Sequence, residues 1–291
     1  MKLVVGSAGA VGQEVVRQLA ARGVEVRAMV REFPAVEDAP LRGVSYVEAD
    51  LRKPETLDKA LEGVDAAFLV TKEMPGAVER EKAFIDAAKR AGNVRIVKQA
   101  RLFAAPDAAS ILHRQQWEIV EHLKASGVPY TLVRPQAFMQ NLFMDAPTIQ
   151  SQDVIYNVMG AARLAMIDRR DDAAVIATTL IEDGHEGRDY AVSGPALVDY
   201  QDISGQLSEA IGRPVTCVDV PPESMHQALI GMGLPEWTAD AFTGVVRFAQ
   251  EGPAQIRTTT VEEILGRQPI AFSTFVAEHK AAFMPVAMAS A

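Results

Sequence analysis

The sequence has little of what several common kinds of protein chemistry need. Its single cysteine, Cys217, excludes an internal disulfide framework and favours a reducing compartment. It contains no HExxH motif, paired CxxC motif or other metal-ligand cluster, and no G-x-S-x-G turn. These absences argue against a disulfide-stapled scaffold, a zinc site and a serine hydrolase.

Charge and hydrophobicity exclude two classes of partner. The 291 residues carry a formal net charge of −9 and no polybasic tract, so nothing indicates binding to nucleic acid or to an anionic membrane. No apolar run approaches the roughly 18 residues of a membrane span, and the N-terminal residues lack the pattern of a signal peptide. We therefore expect a cytoplasmic protein, with a homodimer as one alternative for its oligomeric state.

The most informative stretch runs from Lys2 to Arg31. An apolar strand pattern is followed by three glycines at three-residue spacing and then by a helical pattern over residues 14–22. Glycine permits strained backbone and close approach of a ligand, and the helix start offers free N–H groups to a phosphate. This order predicts a dinucleotide-binding turn. The alternative is that the glycines are present for steric reasons alone, as they can be in any strand-to-helix turn of this kind. Its candidate cofactor-binding residues are Gly6, Ser7, Ala8, Gly9, Ala10, Val11 and Gly12.

Arg31 stands at the end of the second predicted strand, Val24 to Val30, about 20 residues beyond the last glycine. This position faces the ribose 2′ group of a bound dinucleotide, where an acidic residue accepts from a hydroxyl and an arginine pairs with a 2′-phosphate. Arg31 therefore favours NADP(H) over NAD(H). A solvated strand end is the alternative, and the neighbouring Glu32 weakens the preference.

The remaining pattern predicts an α/β fold with a Rossmann-type doubly wound parallel sheet and a smaller α+β C-terminal substrate-binding region. We expect residues 1–150 to form the NAD(P)-binding unit, with return elements from about 164 to 192, and residues 151–291 to be mainly substrate-binding. Thr71 closes the fourth strand at the edge where such sheets bind ligands. Further strands are predicted at 44–48, 65–71, 94–97, 130–133, 164–167, 189–192 and 215–220.

The C-terminal half is predicted to be largely helical. Asp171 and Asp172 are expected to cap a helix over 171–180, and helices over 223–232 and 235–250 are expected to cover the cleft. A last helix is predicted over 270–283, followed by a loose end from Met284. A polar loop is predicted to follow Arg31.

Several blocks together resemble the NmrA-like branch of the atypical short-chain dehydrogenase/reductase superfamily. They are the glycine spacing with the VRAMVR strand, EADLRKPETLDKALEGVDAAFLVT, AFIDAAKRAGNVRIVK, SGVPYTLVRPQAFMQN, MIDRRDDAAV and LGRQPIAFSTFVAEH. The resemblance covers nearly the whole chain. It implies that Asp50 and Leu51 lie beside the adenine ring, with capping of the following turn as the alternative role of Asp50. It makes Lys82 a neighbour of the dinucleotide, with a solvated lysine as the alternative.

The resemblance also implies that the loop after the sixth strand roofs the nicotinamide and shapes the substrate pocket. Phe138, Met139 and Asn141 are its candidate substrate residues, with ordinary core packing as the alternative. Methionine and phenylalanine form an adaptable apolar surface, which favours a flat or aromatic substrate.

The tyrosine–lysine pair of ordinary short-chain reductases is missing, because no tyrosine has a lysine four residues later. If the helix HRQQWEIVEHL is aligned with the family's catalytic helix, His113 takes the tyrosine position and Trp117 the lysine position. Imidazole exchanges protons near neutral pH, so His113 is the candidate catalytic residue. Ser110 and Gln116 are weaker polar candidates, and packing is the alternative for both His113 and Trp117.

A site without the usual general acid suits an acceptor that is already electrophilic. The sequence therefore favours an NADPH-dependent oxidoreductase that transfers hydride to a small conjugated acceptor such as a quinone or azo compound. A non-catalytic NAD(P)-binding redox sensor, or an isomerase or lyase that retains its cofactor, would explain the same features.

Overall fold

A seven-stranded parallel sheet forms the centre of the molecule, seen in a computed structural model that describes residues 1–32, 41–252 and 254–285. The strands are β1 (Lys2–Val5), β2 (Val26–Val30), β3 (Val44–Glu48), β4 (Ala66–Leu69), β5 (Arg95–Gln99), β6 (Tyr130–Pro135), β7 (Val154–Asn157), β8 (Asp189–Val192) and β9 (Thr216–Asp219). The order in the large sheet is β3-β2-β1-β4-β5-β6-β8. Strands β7 and β9 form a separate two-stranded parallel sheet.

Helices cover both faces of the large sheet, as its apolar central strands require. All four residues of β4 are buried, and alternate residues of β1 face opposite layers. The first six helices are α1 (Ala10–Ala21), α2 (Leu57–Leu61), α3 (Ala77–Ala91), α4 (Ile111–Ser126), α5 (Ala146–Gln152) and α6 (Arg169–Ile181). One core cluster packs α2, α3 and α4 against the sheet, and a second packs α1 and α6 against the other face. The doubly wound α/β fold is thereby confirmed.

The strand order reverses between β1 and β4. The chain leaves β1 toward β2 on one side and returns to β4 on the other, so α1 and α3 lie on opposite faces. The crevice outside the carboxyl ends of these two strands is where open α/β sheets bind ligands. The glycine turn and Thr71 both stand at this edge.

A third apolar cluster unites residues from Met139 to Phe283. It joins the small sheet to α5, α7 (Tyr200–Ile211), α9 (Glu236–Gln250) and α11 (Phe272–His279). Helix α8 (Pro222–Gly231) packs on α9, and α10 (Thr260–Leu265) contributes Val261 to the second core cluster. The division of the chain near residue 150 stays a prediction.

Several C-terminal expectations were wrong. Residues 164–167 form two isolated bridges rather than a strand, with Leu164 opposite Val198 and Ile167 opposite Phe138. The last helix is shorter than predicted, because α11 ends at His279 and a 3-10 turn follows over Lys280–Phe283. The sequence did not predict α5, β7 or α10.

The capping of α6 also differs from the expectation. Asp168, not Asp171 or Asp172, caps the helix, because its carboxylate accepts from the backbone N–H of Arg170 at 2.8 Å. The Asp171 carboxylate instead accepts from the backbone N–H of Ile270 at 2.6 Å and pairs with Arg267 at 2.7 Å. Asp171 therefore connects α6 to the segment that leads into α11.

The polar loop predicted after Arg31 and the loose end predicted from Met284 lie mostly outside the described residues. Within the described ranges, no helix combines the length and the apolar character that crossing a membrane would require.

Candidate functional site

The glycine turn connects β1 to α1, and two of its glycines are sterically required. Gly6 has φ of +79°, and a methyl group built there would lie 2.3 Å from the Val70 carbonyl oxygen. A methyl group on Gly12 would lie 2.2 Å from the Gly6 carbonyl oxygen. The turn can therefore pass close to both β4 and α1 only with glycine at these two positions.

The outer part of the turn is open and fits a dinucleotide pyrophosphate. Ala8, Gly9 and Ala10 are exposed, and the first N–H groups of α1 have no acceptor within the helix. The Ser7 hydroxyl instead donates to the Met29 carbonyl at 2.7 Å, which fixes the turn against β2. Val11 is half-buried against the second core cluster. Ser7 and Val11 thus shape the turn, while Ala8 to Ala10 present its backbone.

Two arginines surround one carboxylate at the ends of β2 and β3. The backbone N–H of Ala49 donates to the Val30 carbonyl at 2.9 Å, so Arg31 and Asp50 lie at adjacent strand ends. The Arg52 guanidinium binds the Asp50 carboxylate through Nε at 3.0 Å and Nη2 at 2.6 Å. Hydrogen bonding to Arg52, with the Arg31 charge adding, lowers the pKa of Asp50 to about 2. The cluster keeps a net positive charge that suits a 2′-phosphate.

Arg52, whose side chain is exposed beside this cluster, was not predicted from the sequence. Its position two residues after the Asp50 candidate was the only available signal. Leu51 is half-buried and packs against the first core cluster.

A buried polar group lies beneath the ends of β4 and β5. The Thr71 hydroxyl donates to the Glu81 carboxylate at 2.7 Å, and the same carboxylate pairs with Lys98 at 2.9 Å. Lys98 and Glu81 are almost fully buried. This ion pair has no local sequence signature, and it connects α3 to the sheet edge at which Thr71 stands.

Lys82 contacts α4 in the structure. Its ammonium group pairs with the Glu118 carboxylate, which joins α3 to α4 near the surface. Any contact between Lys82 and a cofactor stays a prediction.

His113 and Trp117 lie on α4, next to the crevice. His113 is only 4% exposed, and Trp117 is half-buried. Burial, with the nearby Arg101 charge adding, lowers the pKa of His113 to about 4. The expectation that this imidazole titrates near neutral pH was therefore wrong, because burial disfavours its charged form. A neutral imidazole still donates one hydrogen bond, so a role at the nicotinamide end stays a prediction.

The loop after β6 presents its candidate residues in three different ways. Phe138 is half-buried against the second core cluster, Met139 is 1% exposed within the third, and Asn141 is exposed. Met139 also lines a cavity of about 150 Å³ together with Met166 and Phe272. The structure thus does not bring these three side chains to one surface, and their substrate contacts stay predictions.

A salt bridge that was not predicted from the sequence spans the loops after β4 and β5. The Arg101 guanidinium binds the Glu73 carboxylate through two hydrogen bonds of 2.7 and 2.6 Å. Arg134 donates to the Arg101 carbonyl at 2.5 Å and to Asp189 at 2.7 Å. Charged residues shortly after two adjacent parallel strands were the only signal. Together these contacts fix the wall of the crevice beside His113.

Asp172 carries a buried carboxyl whose two oxygens have no hydrogen-bond partner among the described residues. Burial, with the Asp171 charge adding, raises the pKa of Asp172 to about 8. Because the pKa of Asp172 is raised in the folded state, protonation of its carboxyl favours folding. Its contribution to the free energy of unfolding is complete below the unfolded pKa near 4 and is lost as the pH rises through about 8.

Asp172→Asn should remove this pH dependence. As the pH rises from 4 to 8, we expect the free energy of unfolding of the variant, relative to that of the wild type, to increase by about 1 kcal/mol per pH unit. Urea unfolding at a series of pH values measures it, with Asp107→Asn, at an exposed position, as control. Parallel pH profiles for Asp172→Asn and wild type would contradict the expectation.

A doubly wound sheet with a glycine turn at its switch point defines the class of dinucleotide-binding α/β proteins. The family profile described as "NmrA-like family" matches residues 2–271. The chain belongs to this family.

Three relatives match over almost their full lengths. An "NAD(P)H azoreductase" of Xenophilus azovorans is 38% identical and covers 97% of this chain, which spans 99% of the relative. A "(4-alkanoyl-5-oxo-2,5-dihydrofuran-3-yl)methyl phosphate reductase" of Streptomyces griseus is 37% identical, and the match covers 98% of this chain and 100% of the relative's length. An NADPH-dependent quinone oxidoreductase of Escherichia coli, solved with NADPH, has a TM-score of 0.86 and 25% identity, covering 97% of this chain and 99% of its own.

Proposed function

We propose that the protein is an NADPH-dependent oxidoreductase that reduces a small conjugated acceptor of the quinone or azo class. The observation that carries the proposal is the 38% identity with the azoreductase over nearly the full length of both chains. The reductase from Streptomyces and the quinone oxidoreductase support it, because both are named for reductions.

In this proposal, each part of the crevice has one task. The turn from Ala8 to Ala10 binds the pyrophosphate through backbone N–H groups, and Arg31 pairs with the 2′-phosphate. Bound NADPH supplies the hydride. His113 donates a hydrogen bond from its neutral imidazole to the acceptor atom on which negative charge develops, and solvent supplies the proton.

The first experiment follows nicotinamide absorbance with protein, NADPH and a panel of quinones, azo dyes including methyl red, and activated ketones. Oxidation that depends on one acceptor class is expected. If NADPH binds but no acceptor is reduced, the proposal fails and the sensor alternative is favoured.

Arg31→Ala tests the cofactor assignment. Losing a charge-assisted contact of about 1.5–3 kcal/mol should raise the KM for NADPH about 10- to 150-fold, while the KM for NADH changes little. Steady-state kinetics with both cofactors measure the effect. Arg90→Ala is the control, because Arg90 lies at the far end of α3 and pairs with Asp58. Equal weakening of NADPH and NADH would contradict the assignment.

We also propose that the protein acts in the cytoplasm, for which the single cysteine is the support. The homodimer stays a prediction that size-exclusion chromatography with light scattering tests.

A further inference from the structure

One face at the start of α4 carries polar atoms that are buried without partners. Ser110, His113 and Gln116 are spaced three apart and so share this face, which we call the α4 polar face. Their exposures are 1%, 4% and 5%. Among the described residues, Ser110 Oγ, His113 Nδ1 and Gln116 Oε1 have no hydrogen-bond partner. Buried polar groups are normally paired, so three unpaired atoms on one helical face need an explanation.

Helix α9 covers this face. Gly244 lies against Ser110, so that a β-carbon built on Gly244 would be 3.5 Å from the Ser110 Cβ. One turn further along α9, the Phe248 ring packs on the His113 imidazole with their centroids 4.8 Å apart. Neither contact supplies a hydrogen bond. The cover therefore excludes water from the polar atoms and gives them no replacement partner.

Phe103, in the loop after β5, completes the cover. Its ring lies 5.5 Å from that of Phe248, and its φ is +58°, in the left-handed region that a bulky residue rarely adopts. Strained backbone of this kind clusters at ligand-binding sites and moving segments. The same aromatic contact that closes the face thus involves a residue in an unfavourable conformation.

We propose that the α4 polar face is the binding surface for the hydrogen-bonding atom of the electron acceptor, and that α9 must withdraw from it before the acceptor binds. The proposal rests on the reductase function above. The Ser110 hydroxyl and the imidazole N–H are donors that match a quinone oxygen or an azo nitrogen. The acceptor's aromatic ring takes the place of Phe248 over His113, so that it satisfies the polar atoms and preserves the aromatic contact.

A reversible lock tests this opening. Ser110→Cys and Gly244→Cys, combined with Cys217→Ser, give a protein with two thiols only. The 3.5 Å separation of their β-carbons lies at the short end of the disulfide range of about 3.5–4.5 Å. The oxidised and reduced forms are desalted and compared by equilibrium dialysis with methyl red in the absence of NADPH. We expect the disulfide to weaken binding at least about tenfold and reduction to restore it. Each single-cysteine variant, treated with the same oxidant, is the control.

Two readouts separate this proposal from the proposed function. Equal affinity of the locked and reduced forms for methyl red, or no binding by either, would overturn the proposal even where the wild type reduces the dye. If the wild type binds NADPH but reduces no acceptor, the reductase function fails. The dialysis comparison still decides whether α9 covers a binding face.

A second pair of variants keeps the test valid where the lock does not form. Phe248→Ala removes the aromatic contacts of the cover, so we expect methyl red to bind at least about threefold more tightly. Phe242→Ala makes the same change on the same helix at a side chain that is 45% exposed, and should leave the affinity unchanged. Unchanged or weaker binding by Phe248→Ala would contradict the role of α9 as the cover.

Discussion

Replacing Gly12 by alanine is expected to abolish NADPH binding and to destabilise the fold by about 3 kcal/mol or more. The added methyl group would lie 2.2 Å from the Gly6 carbonyl oxygen and 2.9 Å from the Ser7 Cα, and both contacts are with backbone. The turn must therefore move away from α1, and the N–H groups that it presents move with it. Isothermal titration with NADPH and urea unfolding measure the two effects.

Gly205→Ala is the matched control for this substitution. Gly205 also lies within a helix, α7, but a methyl group there meets no atom within 4 Å apart from its chain neighbours and the backbone of its own helix. Helix propensity alone should make either substitution stabilising by up to about 1 kcal/mol, so only the crowding at Gly12 reverses the sign. NADPH affinity and a urea midpoint equal to those of the wild type in Gly12→Ala would contradict the steric requirement for glycine.

The large sheet could be predicted because its signals are local. The central strands are short apolar runs such as AAFL in β4, and the glycine turn is specified within a few residues. Arg31 was placed by its distance from that turn. Each of these features depends on residues that are close together in the sequence.

In the C-terminal region, β8, β9, α8 and α9 were predicted correctly, whereas β7 and the chain path at 164–167 were not, because these depend on contacts that are distant in sequence. Among the described residues β7 pairs with β9 alone, so Ile155 finds its partner in Cys217. The apolar run at 164–167 resembled a strand. In the fold the chain at Gly194 approaches it so closely that a methyl group there would lie 1.9 Å from the Met166 carbonyl oxygen. This close approach depends on one glycine far along the chain.

The same reason applies to the candidate site. Its contacts join segments that no local sequence pattern connects. Examples are the ion pair of Lys98 with Glu81, the ion pair of Arg101 with Glu73 and the packing of α9 on α4. The effect of burial on His113 is likewise a property of the assembled fold. His113 was identified by alignment with a catalytic helix, but its pKa depends mainly on burial, to which Phe248 of α9 contributes from more than a hundred residues later in the chain.

His113→Ala should reduce turnover of the acceptor about a hundredfold or more, because it removes a hydrogen-bond donor that acts on developing charge. Since the pKa of His113 is about 4, the imidazole is neutral throughout the range from pH 6 to 8. We therefore expect kcat to show no titration from this residue in that range. Stopped-flow measurement of NADPH oxidation over these pH values tests both statements.

His113→Gln separates hydrogen bonding from packing. Glutamine retains an N–H donor without an ionisable group, so it should recover at least about a tenth of the lost rate, whereas a purely structural role predicts no such rescue. His122→Ala is the control on the same helix, because His122 is only partly buried and binds Asp86 on α3. Turnover by His113→Ala within twofold of the wild type would make His113 a packing residue. The acceptor would then have to take its hydrogen bond from another part of the α4 polar face, with Ser110 as the next residue to replace.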